Sequence, residues 1–222
     1  MIYITGDTHG SQNRFIYSRE EKNWKKDDIV FVCGDFGFLL ENSLSEQMFL
    51  NDLETRPYTI AFIDGNHENF PVLFSYPEER WCGGRVHRIR RNILHLMRGQ
   101  VYTIQGKKIF TFGGGYSRDR VRRQLNVSYW EQELPNSSEY QEALKNLKEQ
   151  NHQVDVVLTH TCPTEIVRKM GCSPDAHEAE LTGFLEYLMY ELQFNQWFFG
   201  HWHRDEIVTD KFTAIYFNVI KL

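Results

Sequence analysis

Only four of the 222 residues are cysteine, and Cys33, Cys82, Cys162 and Cys172 form neither a dense disulfide pattern nor a Cys-x-x-Cys pair. Reduced thiols are therefore expected, and a zinc site built on cysteine is not. Long apolar runs are missing too: none reaches the roughly 20 residues of a membrane helix, so no membrane partner is expected. Residues 1–4 already read as a strand, which argues against a signal peptide and makes the cytoplasm the expected location. Repeats, low-complexity tracts and an obvious linker are also lacking. One domain over residues 1–222 is the expected organisation.

What is present suits a folded chain, with 41% hydrophobic and 14% aromatic residues. The modest net charge of −5 hides an asymmetry, because residues 80–123 hold twelve Lys or Arg against one acid, Asp119. The rest carries 13 basic against 29 acidic residues. Such a field can draw an anionic substrate toward one face.

Short runs rich in β-branched and aromatic residues read as buried strands at Ile2–Ile4, Ile29–Cys33, Tyr58–Ile63, Lys107–Phe112, Val154–Thr159 and Gln196–Phe199. Helical patterns lie between them at Asn13–Glu21, Ser43–Glu54, Ser138–Asn151 and Glu178–Leu192. The alternation predicts an α/β protein. Closely spaced strand signals at Val86–Phe112 and Glu206–Asn218 predict a second, more antiparallel sheet.

Five short motifs carry the chemistry: Asp7 with His9, Gly34-Asp35, Gly65-Asn66-His67-Glu68, His160, and Gly200-His201-Trp202-His203. Taken singly, Gly-Asp is an ordinary turn or cap. Together they hold five of the nine histidines, and each motif follows the carboxyl end of a predicted strand, the edge where open α/β sheets bind ligands. Carboxylate, imidazole and amide oxygen are ligands for borderline divalent cations. His87, His95, His152 and His177 match no motif and read as ordinary histidines. Glu68 reads either as a cap for the following turn or as a group that orients His67.

In order and spacing these motifs resemble the calcineurin-like metallophosphoesterase superfamily, closer to its small bacterial and phage phosphoesterases than to its eukaryotic protein phosphatases. The arginines of the latter are replaced here by Phe36-Gly37-Phe38 and Asp64. The resemblance implies a two-layer β-sandwich flanked by helices and two divalent metal ions. One would be held by Asp7, His9, Asp35 and His203, the other by Asp35, Asn66, His160 and His201, with Asp35 shared. Mn, Fe, Zn, Co or Ni suits such ligands, with Mn favoured. The implied reaction is phosphomonoester or phosphodiester hydrolysis by a hydroxide that the metals activate, with His67 as general acid.

Arg118 and Arg120, after the glycine run 113–115, are the expected phosphate-binding residues. Two other functions are set beside this one. A nuclease could track single strands along the basic segment, with Trp81, Tyr116, Tyr129 and Trp130 to stack bases. A scaffold of the same fold, inert in catalysis, is the third.

Overall fold

The computed structural model describes residues 1–11, 13–17 and 21–222. Its strands and α-helices run β1 (Ile2–Thr5), β2 (Ile29–Val32), α1 (Leu44–Glu54), β3 (Thr59–Phe62), α2 (Phe70–Leu73), β4 (Glu78–Trp81), β5 (Gly84–Arg90), β6 (Ile93–Leu96), β7 (Gln100–Ile104), β8 (Lys107–Phe112), α3 (Ser137–Glu149), β9 (Val156–Thr159), α4 (Thr164–Lys169), α5 (Ala179–Glu191), β10 (Gln196–Phe199), β11 (Glu206–Ile207), β12 (Phe212–Ala214) and β13 (Val219–Lys221). Two sheets form, ordered β13-β1-β2-β3-β6-β5-β4 and β11-β12-β10-β9-β8-β7.

Each sheet is parallel at its centre, β1-β2-β3-β6 in one and β8-β9-β10-β12 in the other, with antiparallel strands outside. The antiparallel stretches therefore do not make a sheet of their own. Residues 84–96 extend the first sheet, while 100–112 and 206–214 belong to the second.

Side-chain alternation sets the layers. Ile2, Ile4, Phe31 and Ala61 of one sheet share a buried cluster with Ile109, Val156, Leu158 and Phe198 of the other. The opposite face of the first sheet, Tyr3, Val30, Val32, Ile60 and Phe62, packs on Phe49, Leu50 and Leu53 of α1. That of the second, Phe110, Val157, Trp197 and Phe199, packs on α3, α4 and α5 through Leu147, Ile166, Val167, Leu185 and Leu188. Being covered on both faces is why the central strands read as continuous apolar runs. The architecture is an α/β sandwich of two mixed sheets with helices around them.

Three predicted helices form within two residues of their expected ends. The fourth, Asn13–Glu21, does not: Asn13–Tyr17 is a single π-helical turn, Glu21–Asn23 a 3-10 turn, and residues 18–20 lie outside the described residues. Tertiary contacts override local propensity there. Phe15 is drawn against Phe36 and Phe38, and Arg14 donates to Thr5 Oγ1 and Gly6 O.

Much of the basic segment is matched by acids from elsewhere in the fold. Arg85 pairs with Glu78 and Glu142, Arg88 with Glu79, Arg98 with Asp64 and Glu139, and Arg120 with Glu133. No helix among the described residues is long and apolar enough to cross a membrane.

Candidate metal centre

The parallel strands point their carboxyl ends to one edge of the sandwich. There the turns after β1, β2 and β3 deliver Asp7, Asp35 and Asn66, and those after β9 and β10 deliver His160 and His201. Glycines let these turns interlock: a Cβ on Gly34 would collide with the His160 ring, on Gly65 with Asp35 Oδ1, and on Gly200 with Asp7 Oδ1. Each of these glycines thus leaves the space that a side chain of another motif occupies.

Backbone strain collects at the same place. His9, Asp35, His201 and His203 have φ of 46°, 48°, 65° and 50°, a region that costs a non-glycine residue about 1–3 kcal/mol and persists where surroundings enforce it.

Two groups of donors face one another. In the first, His203 Nε2 lies 3.0 Å from His9 Nε2 and 3.2 Å from Asp7 Oδ2, and His9 Nε2 lies 3.8 Å from Asp7 Oδ2 and from Asp35 Oδ2. In the second, Asn66 Oδ1 lies 3.0 Å from His160 Nε2 and 2.9 Å from His201 Nδ1, and His160 Nε2 lies 3.6 Å from Asp35 Oδ1. The two oxygens of Asp35 face different groups. Asp7, His9 and His203, and likewise Asp7, Asp35 and His160, bring their donor atoms within 4.8 Å of one another and could hold a metal.

Hydrogen bonding shows that this donor set fits a cation. His160 Nδ1 donates to Cys33 O at 2.8 Å, and Asn66 Nδ2 donates to Ser117 Oγ at 3.0 Å. Those bonds turn the His160 Nε2 lone pair and the Asn66 amide oxygen toward each other, with a carboxylate beside them, so only a cation or an extra proton can reconcile the three. Burial opposes charge on His160, but Asp35 and Asp7 raise its pKa, and the same negative field attracts a metal.

Elsewhere burial keeps imidazoles neutral, as ligation requires. It pushes His9 down to about 4, and with His160 it holds His201 well below the usual range. His203 is raised by its hydrogen bond to Asp7; burial alone would raise Asp7, yet His203 and His160 hold it low.

His67 stands at the side of this centre, its backbone N–H donating to Asp35 Oδ1 at 2.7 Å and its ring edge-on to His9 at 5.3 Å. An open cleft of about 280 Å³ lies in front, lined by Asp35, Asn66, His67, Tyr116, Arg118 and Trp202 among others. Arg118 spreads over Trp202 at 4.9 Å and donates to Ser173 O. Arg120 turns away, its Nε and Nη2 donating to Glu133 Oε2 at 3.2 and 2.9 Å.

Several residues outside the motifs support the centre. Glu178 Oε1 lies 3.9 Å from His201 Nε2 and accepts from Tyr116 N–H, and burial raises its pKa to about 7. Arg123 Nη2 touches His67, and His177 stacks on Tyr116 at 4.7 Å. For Glu178 the sequence offers only its place at the head of a helical pattern. No local pattern marks Arg123, since Asp119 and Arg123 flank a 3-10 turn rather than share an α-helix face. Among the described residues Glu68 makes neither the cap nor a hydrogen bond to His67. It is buried and accepts from Phe36 N–H at 2.8 Å, while Asn69 caps α2. His87 and His95 form a buried stacked pair reaching Asp64.

A search of curated proteins returned no match. Residues 1–205 match the family model described as calcineurin-like phosphoesterase, and since the match spans nearly the whole chain and every motif at this edge, the protein belongs to the calcineurin-like phosphoesterase family.

Proposed function

We propose that the chain, as one catalytic domain, hydrolyses phosphomonoesters or phosphodiesters with two divalent cations, Mn ahead of Fe, Zn, Co or Ni. Asp7, His9, Asp35 and His203 would hold one cation, and Asp35, Asn66, His160 and His201 the other. The observation that carries this reading is the pair of donor groups that face the two oxygens of one buried carboxylate, Asp35. When bound, the cations supply Lewis acidity and an ionised water at neutral pH. The chain's own part is to fix that geometry on strand ends and to place His67 where it can protonate the leaving oxygen. General acid help of this kind is worth roughly 10²–10⁴ in rate.

The ion pairs that neutralise much of the basic segment, and the acidic remainder of the chain, favour a small phosphate ester over a nucleic acid strand. The test is hydrolysis of p-nitrophenyl phosphate and bis-p-nitrophenyl phosphate by protein loaded with each metal in turn. Turnover is expected, abolished by Asp35→Asn and lowered by His67→Ala. Preference for the diester would direct the search to nucleotides, and inertness with every metal would return the scaffold reading.

A further inference from the structure

We infer that Arg123, rather than Arg118 or Arg120, is the arginine that grips the substrate phosphoryl group, and that it rests on His67 until an anion draws it away. This rests on the phosphoesterase reading above. The three side chains share one loop but differ in what already holds them. Arg120 gives two nitrogens to Glu133, whose side chain is fully buried, and its guanidinium lies 4.3 Å from the Tyr116 ring and 4.9 Å from that of Tyr129. Moving it to the cleft would strand a buried carboxylate, a costly exchange. Arg118 lies over Trp202, tied to Ser173 O and 3.7 Å from Asp175. It lines the cleft, but its guanidinium already has a carbonyl, a carboxylate and an indole as partners, whereas Arg123 meets the cleft through His67 and Asp119.

Arg123 is held differently. Its Nε pairs with Asp119 Oδ1 at 2.8 Å and its Nη1 donates to Ser128 O at 3.0 Å, which fixes the plane of the guanidinium. The remaining nitrogen, Nη2, lies 2.8 Å from His67 Nδ1 and 3.2 Å from His67 Nε2. A guanidinium has five N–H donors and no acceptor, and an imidazole offers it at most one lone pair. His67 is therefore a poor terminus for a cation directed this carefully. A phosphoryl group within reach of His67 offers charged oxygens to the same fork and matches it in geometry. Asp119, itself a wall of the cleft, supplies the aim. Anion binding would shift Nη2 from the imidazole to the phosphate and leave His67 free to face the leaving oxygen.

The experiment is inorganic phosphate binding to the Zn-loaded protein by calorimetry, with the His67 ring nitrogens followed by NMR in the same titration. For Arg123→Ala the dissociation constant is expected to rise roughly 10- to 100-fold, the scale of a lost charged hydrogen-bonding group. The His67 signals are expected to move with phosphate in the native protein and to stay still in the variant. Arg123→Lys, which keeps the charge and the chain length, should recover part of the affinity. Arg122→Ala, the same loss of charge one residue away, should change binding less than twofold.

Phosphate affinity for Arg123→Ala and Arg123→Lys within twofold of native would overturn the assignment while leaving the hydrolysis reading intact. Native protein that neither binds phosphate nor turns over p-nitrophenyl phosphate would overturn both. If Arg123→Ala does not fold, the lysine variant alone decides, since a role confined to packing predicts unchanged affinity.

Discussion

At the scale of single residues, the site depends on atoms that are not there. Gly34, Gly65 and Gly200 each leave the volume that a candidate ligand from another motif fills, so the glycines are as specific as those side chains. Gly200→Ala sets a methyl group against Asp7 Oδ1, which also accepts the His201 N–H at 3.1 Å. Asp7 must then rotate or the turn must open. Metal affinity is expected to fall roughly 10- to 100-fold, the usual cost of disturbing the groups that orient a ligand. Competition against a chelating dye measures it, and unchanged affinity would mean that Asp7 is not held by this contact. Burial pushes the Cys33 and Cys162 thiols far above the ordinary range, which disfavours the reactive thiolate at neutral pH.

Individual elements were legible in the sequence where local chemistry and burial agree. α1 starts after Ser43, whose Oγ accepts Glu46 N–H while the Glu46 carboxylate accepts Ser43 N–H. α3 starts after Asn136, paired with Glu139 in the same way. Glu139 also binds Arg98 Nη1 at 3.2 Å, so this cap fastens a helix to the core as well as starting it. Asn136→Ala is expected to lower stability by about 1 kcal/mol, read from the urea midpoint. A loss near zero would show that packing alone sets where α3 begins. The sequence was less informative where long-range contacts decide. Nothing local at Asn13–Tyr17 announces that Phe15 will be drawn onto Phe36 and Phe38. Antiparallel pairing at 84–96 and 100–112 could be seen, but its allocation to two different sheets could not. That partition depends on the turn at Met97-Arg98-Gly99, where Arg98 leaves one sheet to bind Asp64 before the chain joins the other.

For the whole molecule, that arginine explains how two sheets keep one edge in register. Asp64 follows β3 of the first sheet, accepts Arg98 Nε at 2.8 Å and lies near His95 Nε2 at 3.2 Å, and its carbonyl accepts Gly114 N–H, just beyond β8 of the second sheet. The motif residues could be picked out as candidate ligands because metals restrict which side chains can serve. Asp64 and Arg98 are 34 residues apart, and no spacing rule links them, so their pairing emerged only from the fold. Burial by itself would push the Asp64 pKa up, but Arg98 and then His95 more than offset it and hold the carboxyl far below the usual range. A depressed folded pKa stabilises the protein fully above the unfolded value of about 4 and is lost as pH falls from there toward the folded value. Acid unfolding is therefore expected to steepen below about pH 4. Asp64→Asn, which leaves the buried Arg98 with Glu139 as its carboxylate partner, is expected to cost about 1.5–3 kcal/mol at pH 7, the scale of a lost charged hydrogen bond. The gap between native and variant should then narrow as the pH drops below 4. Urea unfolding across that range, on protein stripped of metal so that ligand protonation does not mask the effect, measures both quantities. A gap that stays constant with pH would mean that Asp64 is not the carboxylate tying the sheets together.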